Sequence, residues 1–302
     1  MAGIKALCLI IKAPSSHIRI PQSSNPRYTY EVPPYSTVIG LVANLMGDKA
    51  LIEKLLKVPF GLSVLCRYET MSQEYTWLRN LETNSHRDKF KSDNSRIHDG
   101  KIEHPGGLNP VTFYVLNNVE AIIYLIHPDQ ELIGTLIDNA EYPQRWISHL
   151  HLGRAEDWAA LESIGEVELK ICQRPSDVAE GKNYLGWVPK YEEKDDLPFF
   201  LSEGSPHMRQ SYRMLYNRLS GGCSLVPAVY KKVKINTFLD LKKKERITGE
   251  FRNFNHIAAK TSRMSIPLNA DDTIPDIWCD PERKLPVAPA LIDAGTVRGS
   301  GM

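Results

Sequence analysis

Between Arg19 and Thr37 the chain gathers cations, flat rings and hydroxyls into one short stretch. Arg19 and Arg27 carry fixed positive charge. Tyr28 and Tyr30 offer aromatic faces, with Thr29 between them, and Tyr35 adds a further ring. Pro33-Pro34 stiffens the entry to a helix whose capping hydroxyls are expected at Ser36 and Thr37. A guanidinium for a phosphate, a ring for a base and a helix N-terminus for an anion are three ways to hold a single-stranded nucleic acid.

A second cluster stands at Leu150-His151-Leu152-Gly153-Arg154-Ala155-Glu156-Asp157. One reading is a turn in which Gly153 lets backbone approach a phosphate that Arg154 pairs with. The other is a loop in which Arg154 pairs with Asp157 or Glu156, and short motifs of this kind match by chance often. His149 and His151 would share a face on a strand, but no third ligand lies nearby, so no metal site is expected. The chain shows no phosphate-binding P-loop, no G-x-S-x-G elbow and no H-E-x-x-H, so nothing supports an ordinary metabolic enzyme or a bound cofactor.

The elements that must position these residues can be read from periodicity. A nearly continuous apolar run, Ile4 to Ile11, predicts a strand buried on both faces. Val38, Leu41, Val42 and Leu45 mark one helix face, with Gly47 as its stop. Gly40 inside that helix suggests close packing or close approach of a ligand. A short helix over Ala50 to Leu56 follows, then a strand from Leu62 to Tyr68 that continues weakly to Trp77. Val111 to Leu116 and Ala121 to Ile126 read as two strands joined by a turn at Asn117-Asn118. Asp129 caps a helix bearing Leu132, Ile133, Leu136 and Ile137, and Glu166 to Cys172 alternates as a last strand.

Further along, Arg174 to Pro206 is rich in proline, glycine and charge and reads as a loop or insertion. Met208, Tyr212, Leu215 and Leu219 form a helix face ended by Gly221-Gly222. Ile277 to Ala290 reads as a hairpin turning at Asp280-Pro281-Glu282-Arg283, and Gly295 to Met302 reads as disordered.

The chain of 302 residues has 42% hydrophobic residues, enough for a real core, and a formal net charge of only +1. Any nucleic-acid surface must therefore come from local clustering. Five scattered cysteines without a C-x-x-C pair fit a reduced cytoplasm. Neither a signal peptide nor a membrane-spanning run is evident.

Three blocks together resemble the repeat-handle-binding subunit of type I CRISPR surveillance complexes, the Cas five family. They are Ser16-His17-Ile18-Arg19-Ile20-Pro21, Tyr28 to Leu41, and Leu152-Gly153-Arg154-Ala155-Glu156-Asp157. The form Tyr-x-Val-Pro-Pro-x-Ser-Thr looks most like the I-B-type branch. The resemblance covers Ile4 to about Cys172. It implies an α+β fold: a ferredoxin-like, RNA-recognition-motif-like domain over 1–172 with a long β-hairpin thumb inserted at about 78–110. An irregular extension over 173–302, ending in the hairpin, would pack on the same core. It implies a subunit that holds the 5′ repeat-derived handle of the crRNA and caps a filament of Cas seven backbone subunits. The Cas eight large subunit would dock nearby and read the PAM on target DNA. The complex would serve defence or, if recruited, transposition proteins.

The polar excursion from Leu78 to Pro110 stands where the thumb belongs. It carries Arg79, His86, Arg87, Lys89, Lys91, Arg96 and Lys101. Each phosphate neutralised on a single strand contributes about −0.7 to the log–log salt slope. A solvated surface loop is the alternative for the same residues.

The I-C branch of the family cuts repeat RNA without a metal. That chemistry needs a proton donor or acceptor beside a cation for the pentavalent phosphate. The adjacent Lys-His pair of those members is missing here, and His86-Arg87 with Tyr35 or Tyr30 is the nearest substitute. The expectation is a non-catalytic RNA-binding subunit, with an endoribonuclease as the alternative.

Overall fold

The computed structural model describes residues 3–20, 23–80, 97–98, 101–102, 107–172, 184–191, 197–221, 227–230, 234–240, 245–250, 254–264, 276–293 and 298–300. The apolar N-terminal run forms β1 (Ile4–Ser16). The next elements are α1 (Tyr35–Met46), α2 (Lys49–Lys57), β2 (Phe60–Arg67) and β3 (Thr70–Asn80), then two short strands, β4 (Ile97–His98) and β5 (Lys101–Ile102). The 20-residue β6 (Gly107–Ile126), α3 (Gln130–Ala140) and β7 (Ala160–Ile171) complete the first half.

The named strands of this half pair antiparallel, in the order β7-β1-β6-β2, with β3 also paired to β6. Val38, Ile39, Val42 and Leu45 of α1, Ile52 and Leu55 of α2, and Leu132 and Leu136 of α3 bury against Leu7, Leu9, Ile11, Ile123 and Leu125 on one sheet face. Gly47 ends α1 with a φ of 69°, where a Cβ would lie 1.9 Å from the Arg145 carbonyl oxygen, so glycine is required there. Asp48 caps α2 by accepting from the amides of Ala50 and Leu51, and Asp129 caps α3 by accepting from that of Leu132.

The second half extends this sheet at both sides. A hairpin of β13 (Trp278–Asp280) and β14 (Leu285–Val287) turns at 281–284 as expected and adds beyond β7. On the other side β8 (Leu185–Pro189) pairs with β2. Next come β12 (Phe254–Lys260) and then β9 (Pro227–Tyr230). β15 (Ala290–Ile292) pairs with β2 as well. The helix α4 (Met208–Gly221) buries Met208, Tyr212, Leu215 and Leu219 in a second core with Tyr124, Trp278 and Leu285. Within it the Tyr212 hydroxyl donates to the Val287 carbonyl and accepts from the Trp278 amide. A separate three-stranded sheet joins β10 (Lys234–Asp240), β11 (Glu245–Glu250) and β16 (Arg298–Ser300). Among the described residues no helix is long and apolar enough to cross a membrane.

Four expectations are corrected. Asn117-Asn118 is no turn: β6 runs straight through it, because β1 pairs with β6 from Leu116 to Leu125 on one side while β3 hands over to β2 on the other. Asn118 takes a φ of 51°, which kinks the strand without reversing it. The stretch read as an insertion holds β8, an interior strand. Part of the terminus read as disordered, Arg298–Ser300, pairs with β11. Finally, a Cβ at Gly40 would meet nothing within 4 Å, so packing does not require that glycine.

Candidate nucleic-acid interface

The segment from Ile18 to Tyr30 folds back on itself and then onto β6. The Tyr30 amide donates to the Ile18 carbonyl and the Ile20 amide to the Tyr28 carbonyl, which sets Arg19 opposite Thr29. The Arg27 amide donates to the Thr112 carbonyl at 2.7 Å, and the Tyr114 amide to the Arg27 carbonyl at 3.0 Å. Arg27 and Tyr28 are thereby fixed on the edge of β6.

Opposed residues of an antiparallel pair share a face. The register Gln73↔Tyr114, Tyr75↔Thr112 and Trp77↔Pro110 therefore puts Tyr114, Gln73, Tyr75 and Trp77 on one face of the β3–β6 ribbon. Tyr28 stacks on Tyr114 with centroids 4.9 Å apart and planes at 23°. Gln73 donates to the Tyr114 hydroxyl. Tyr75 and Trp77 meet edge to face, and their side chains are open to solvent, 64% and 56% exposed, beside Tyr28 at 48%. The result is a row of rings left open by the described residues. Tyr75, Trp77 and Tyr114 were not singled out from the sequence; the signal was Tyr-x-Trp in an alternating run whose partners are polar.

The other face holds Phe113 and Glu74. The guanidinium of Arg27 lies over the Phe113 ring at 5.1 Å and that of Arg154 at 5.6 Å. The two arginines differ in what else they touch. Arg154 donates twice to Asp157 through its side chain, at 3.0 and 2.8 Å, and once to Glu74 at 3.0 Å; Glu156 lies at 3.4 Å. Asp157 is fully buried and also accepts from the amides of His17 and Arg154 and from the Ser15 hydroxyl. Burial works to raise the Asp157 carboxyl, but Arg154 and those amides hold it below its ordinary value. Hydrogen bonding to Asp157 raises the Arg154 guanidinium in turn. Of the two readings of Arg154, the ion-paired loop is the one observed.

Arg27 has no carboxylate partner among the described residues, and its Nε is buried without a hydrogen bond. Burial, with the neighbouring Arg19, pushes its guanidinium down. Arg19 is exposed, and its side chain donates to the Ser23 carbonyl at 3.1 Å.

The remaining predicted residues divide between fold and surface. Gly153 has a φ of 117°, and a Cβ there would lie 2.5 Å from the His17 carbonyl oxygen. The close approach that demands glycine is to the protein's own backbone. Thr29 is buried and accepts from the Ile18 amide, and Tyr30 packs in the core near Trp187. Ser36 and Thr37 do not cap α1. The helix begins at Tyr35 with Pro34 as its N-cap, so both hydroxyls stand inside the first turn, half-buried.

In the stretch expected to be a thumb, β3 and β6 pair as far as Asn80↔Gly107, with Arg79 opposite Leu108, and Lys101 pairs with His98 in the β4–β5 hairpin. His86, Arg87, Lys89, Lys91 and Arg96 lie outside the described residues. His149 and His151 do stand together, with ring centroids 5.6 Å apart, but each faces a backbone carbonyl, Ala155 and Gly153. Among the described residues no group of three could hold a metal.

Neither protein-family models nor curated proteins match this chain. Solved structures do. A chain described as "CRISPR RNA-guided surveillance complex" aligns at a TM-score of 0.43 and 12% identity, over 84% of this chain and 89% of that one. A CRISPR protein from Archaeoglobus fulgidus aligns at 0.35 and 15%, over 85% and 86%. A chain titled "Crystal structure of Cas protein" aligns at 0.32 and 14%, over 62% and 80%.

Proposed function

We propose that this chain is a non-catalytic RNA-binding subunit of a type I, I-B-like CRISPR surveillance complex, and that it grips the 5′ repeat-derived handle of the crRNA. The observation that carries the binding role is the β3–β6 ribbon: open rings on one face and, at its edge, Arg27 beside Arg19 with no carboxylate among the described residues to neutralise it. Rings stack bases in any sequence, and unpaired guanidinium groups take phosphates. The CRISPR assignment rests on the three sequence blocks, which the fold draws to one place: Gly153 against His17, and Arg154 beside Arg27 on Phe113. The chain order β-α-β-β-α-β with sheet order β7-β1-β6-β2 supports a ferredoxin-like domain carrying a thumb. In this reading the thumb meets the first Cas seven subunit, and the Cas eight subunit and the PAM-bearing DNA lie nearby.

The ribonuclease alternative finds less support. It draws on Tyr30 and Tyr35, and both rings are buried. Burial pushes the Tyr30 phenol up to about 12 and that of Tyr35 higher still, so neither exchanges a proton readily near neutrality.

The test is co-purification from cells that carry the neighbouring genes and a repeat array. A short RNA ending in the repeat-derived handle, held together with a repeating backbone subunit, is the expected result. A chain that purifies free of RNA under low salt and binds no repeat RNA refutes it. Cleavage of repeat RNA that disappears in His86→Ala would refute the non-catalytic part alone.

A further inference from the structure

Away from the ribbon, the first half has an open cleft of about 810 Å3 where β1, β6 and the β2–β3 connection meet the start of β7. One wall is Trp158, the most exposed large apolar side chain among the described residues at 68%. The indole is not loose. Its backbone pairs with His151, and the His149 ring lies against it with centroids 5.5 Å apart. Ala13, Pro14 and Val119 give the cleft an apolar lining.

The charged groups that line it are already matched. Lys12 bonds Glu162 at 2.9 Å, and Arg67 bonds Glu120 twice, at 3.1 and 3.0 Å. Glu120 also accepts from the Tyr184 hydroxyl, and Glu69 accepts from Asn118 at 2.7 Å. A phosphate entering here would have to break an ion pair. A neutral flat ring would not, and it would cover an indole that otherwise faces water. The volume suits a planar heterocycle with its sugar better than a single aliphatic side chain.

The cleft is also tied to the proposed RNA surface. Trp158 directly follows Asp157, whose carboxylate holds His17 and the Arg154 that shares Phe113 with Arg27. We propose that the Trp158 cleft receives one unpaired nucleobase of the same RNA strand, stacked on the indole, while the phosphates track the Arg19–Arg27 edge. This rests on the RNA-binding reading above and adds to it a base site separate from the ribbon.

The experiment is an anisotropy titration of the full chain with a labelled, unstructured oligoribonucleotide of the repeat-derived sequence. Trp158→Ala is expected to weaken binding roughly 5- to 150-fold, the range for one base stack, while Trp158→Phe keeps most of the affinity. A series of RNAs with one abasic position each supplies the coupling. One position should matter to the wild type and no longer matter to Trp158→Ala. The urea midpoint should stay at its wild-type value, since the side chain is exposed.

Unchanged affinity in Trp158→Ala, or abasic effects that add to the substitution at every position, overturns the base site. If in that case Arg27→Ala still weakens binding, the RNA reading stands without it. If the wild type binds no RNA at all, both fall. Loss of a protein partner in Trp158→Ala with RNA binding intact would make the cleft a protein dock, and this too overturns the proposal.

Discussion

Replacing Arg27 and Arg154 in turn by alanine tests whether the first serves RNA binding, as proposed, and the second the fold. The two guanidinium groups lie over the same ring, Phe113, so geometry around the ring does not distinguish them. Their partners do. Arg154→Ala strips a fully buried carboxylate, Asp157, of its only cation among the described residues. Breaking a buried pair from one side costs about 3–5 kcal/mol. The hydrogen bonds to Asp157 from His17, Ser15 and the residue-154 amide persist. The expected loss therefore lies near the lower end, about 3 kcal/mol.

Arg27→Ala removes no ion pair among the described residues. It loses a cation–π contact of about 0.5–1 kcal/mol and relieves the repulsion from Arg19. Stability should thus change by less than about 1 kcal/mol. For RNA the order reverses. Losing a hydrogen bond to a charged group costs about 1.5–3 kcal/mol, which is roughly 10- to 150-fold in affinity, and each lost phosphate contact flattens the salt slope by about 0.7. Urea unfolding followed by tryptophan fluorescence gives the first quantity, and anisotropy titration at two salt concentrations gives the second. The reasoning fails if Arg27→Ala binds repeat RNA like the wild type. It fails equally if Arg154→Ala unfolds at the wild-type midpoint yet loses RNA.

Other outcomes follow from the same structure. Gly40→Ala should raise stability by about 1 kcal/mol, because its Cβ enters open space within α1; a loss of stability, measured by the same unfolding assay, would show an unseen packing demand. Tyr75→Ala and Trp77→Ala should each weaken RNA binding by about 1–3 kcal/mol with little change in the urea midpoint, and two variants that bind normally would remove the ribbon face from the interface. Asp157 is held below the ordinary carboxylate value, so its stabilisation is present above the unfolded value near pH ~3.9 and is lost as pH falls through the lower folded value; Asp157→Asn should flatten that part of the acid transition, followed by circular dichroism. Deleting His86 to Lys101 should leave a folded domain, since the β3–β6 ladder ends outside it at Asn80↔Gly107, but assembly with guide RNA should fail; an unfolded product would make the segment structural.

Much of the scaffold was legible because its signals are local. The helix face of Val38, Leu41, Val42 and Leu45, the Gly47 stop, the Asp129 cap and the face of α4 depend only on residues a few positions apart, and the structure has them as read. Local reading failed where distant strands decide. Asn117-Asn118 has the composition of a turn, yet β1 pairs on both sides of it and holds the strand extended. Leu185–Pro189 lies in a stretch rich in proline, glycine and charge, yet it forms an interior strand between β2 and β12.

The sequence by itself determined only the candidates for meeting a single strand of RNA: Arg19, Arg27, Tyr28, Thr29, Tyr30, Ser36 and Thr37 on one segment and Gly153-Arg154 on another. Only the tertiary structure decided which of them are available to do so. A cation's free charge depends on carboxylates that arrive from elsewhere in the chain. Glu74 reaches Arg154 across 80 positions, while no described carboxylate reaches Arg27. An aromatic ring's availability depends likewise on what covers it. Tyr30 went under Trp187 into the core, and Tyr75 and Trp77, which periodicity alone did not mark, were left open on the ribbon.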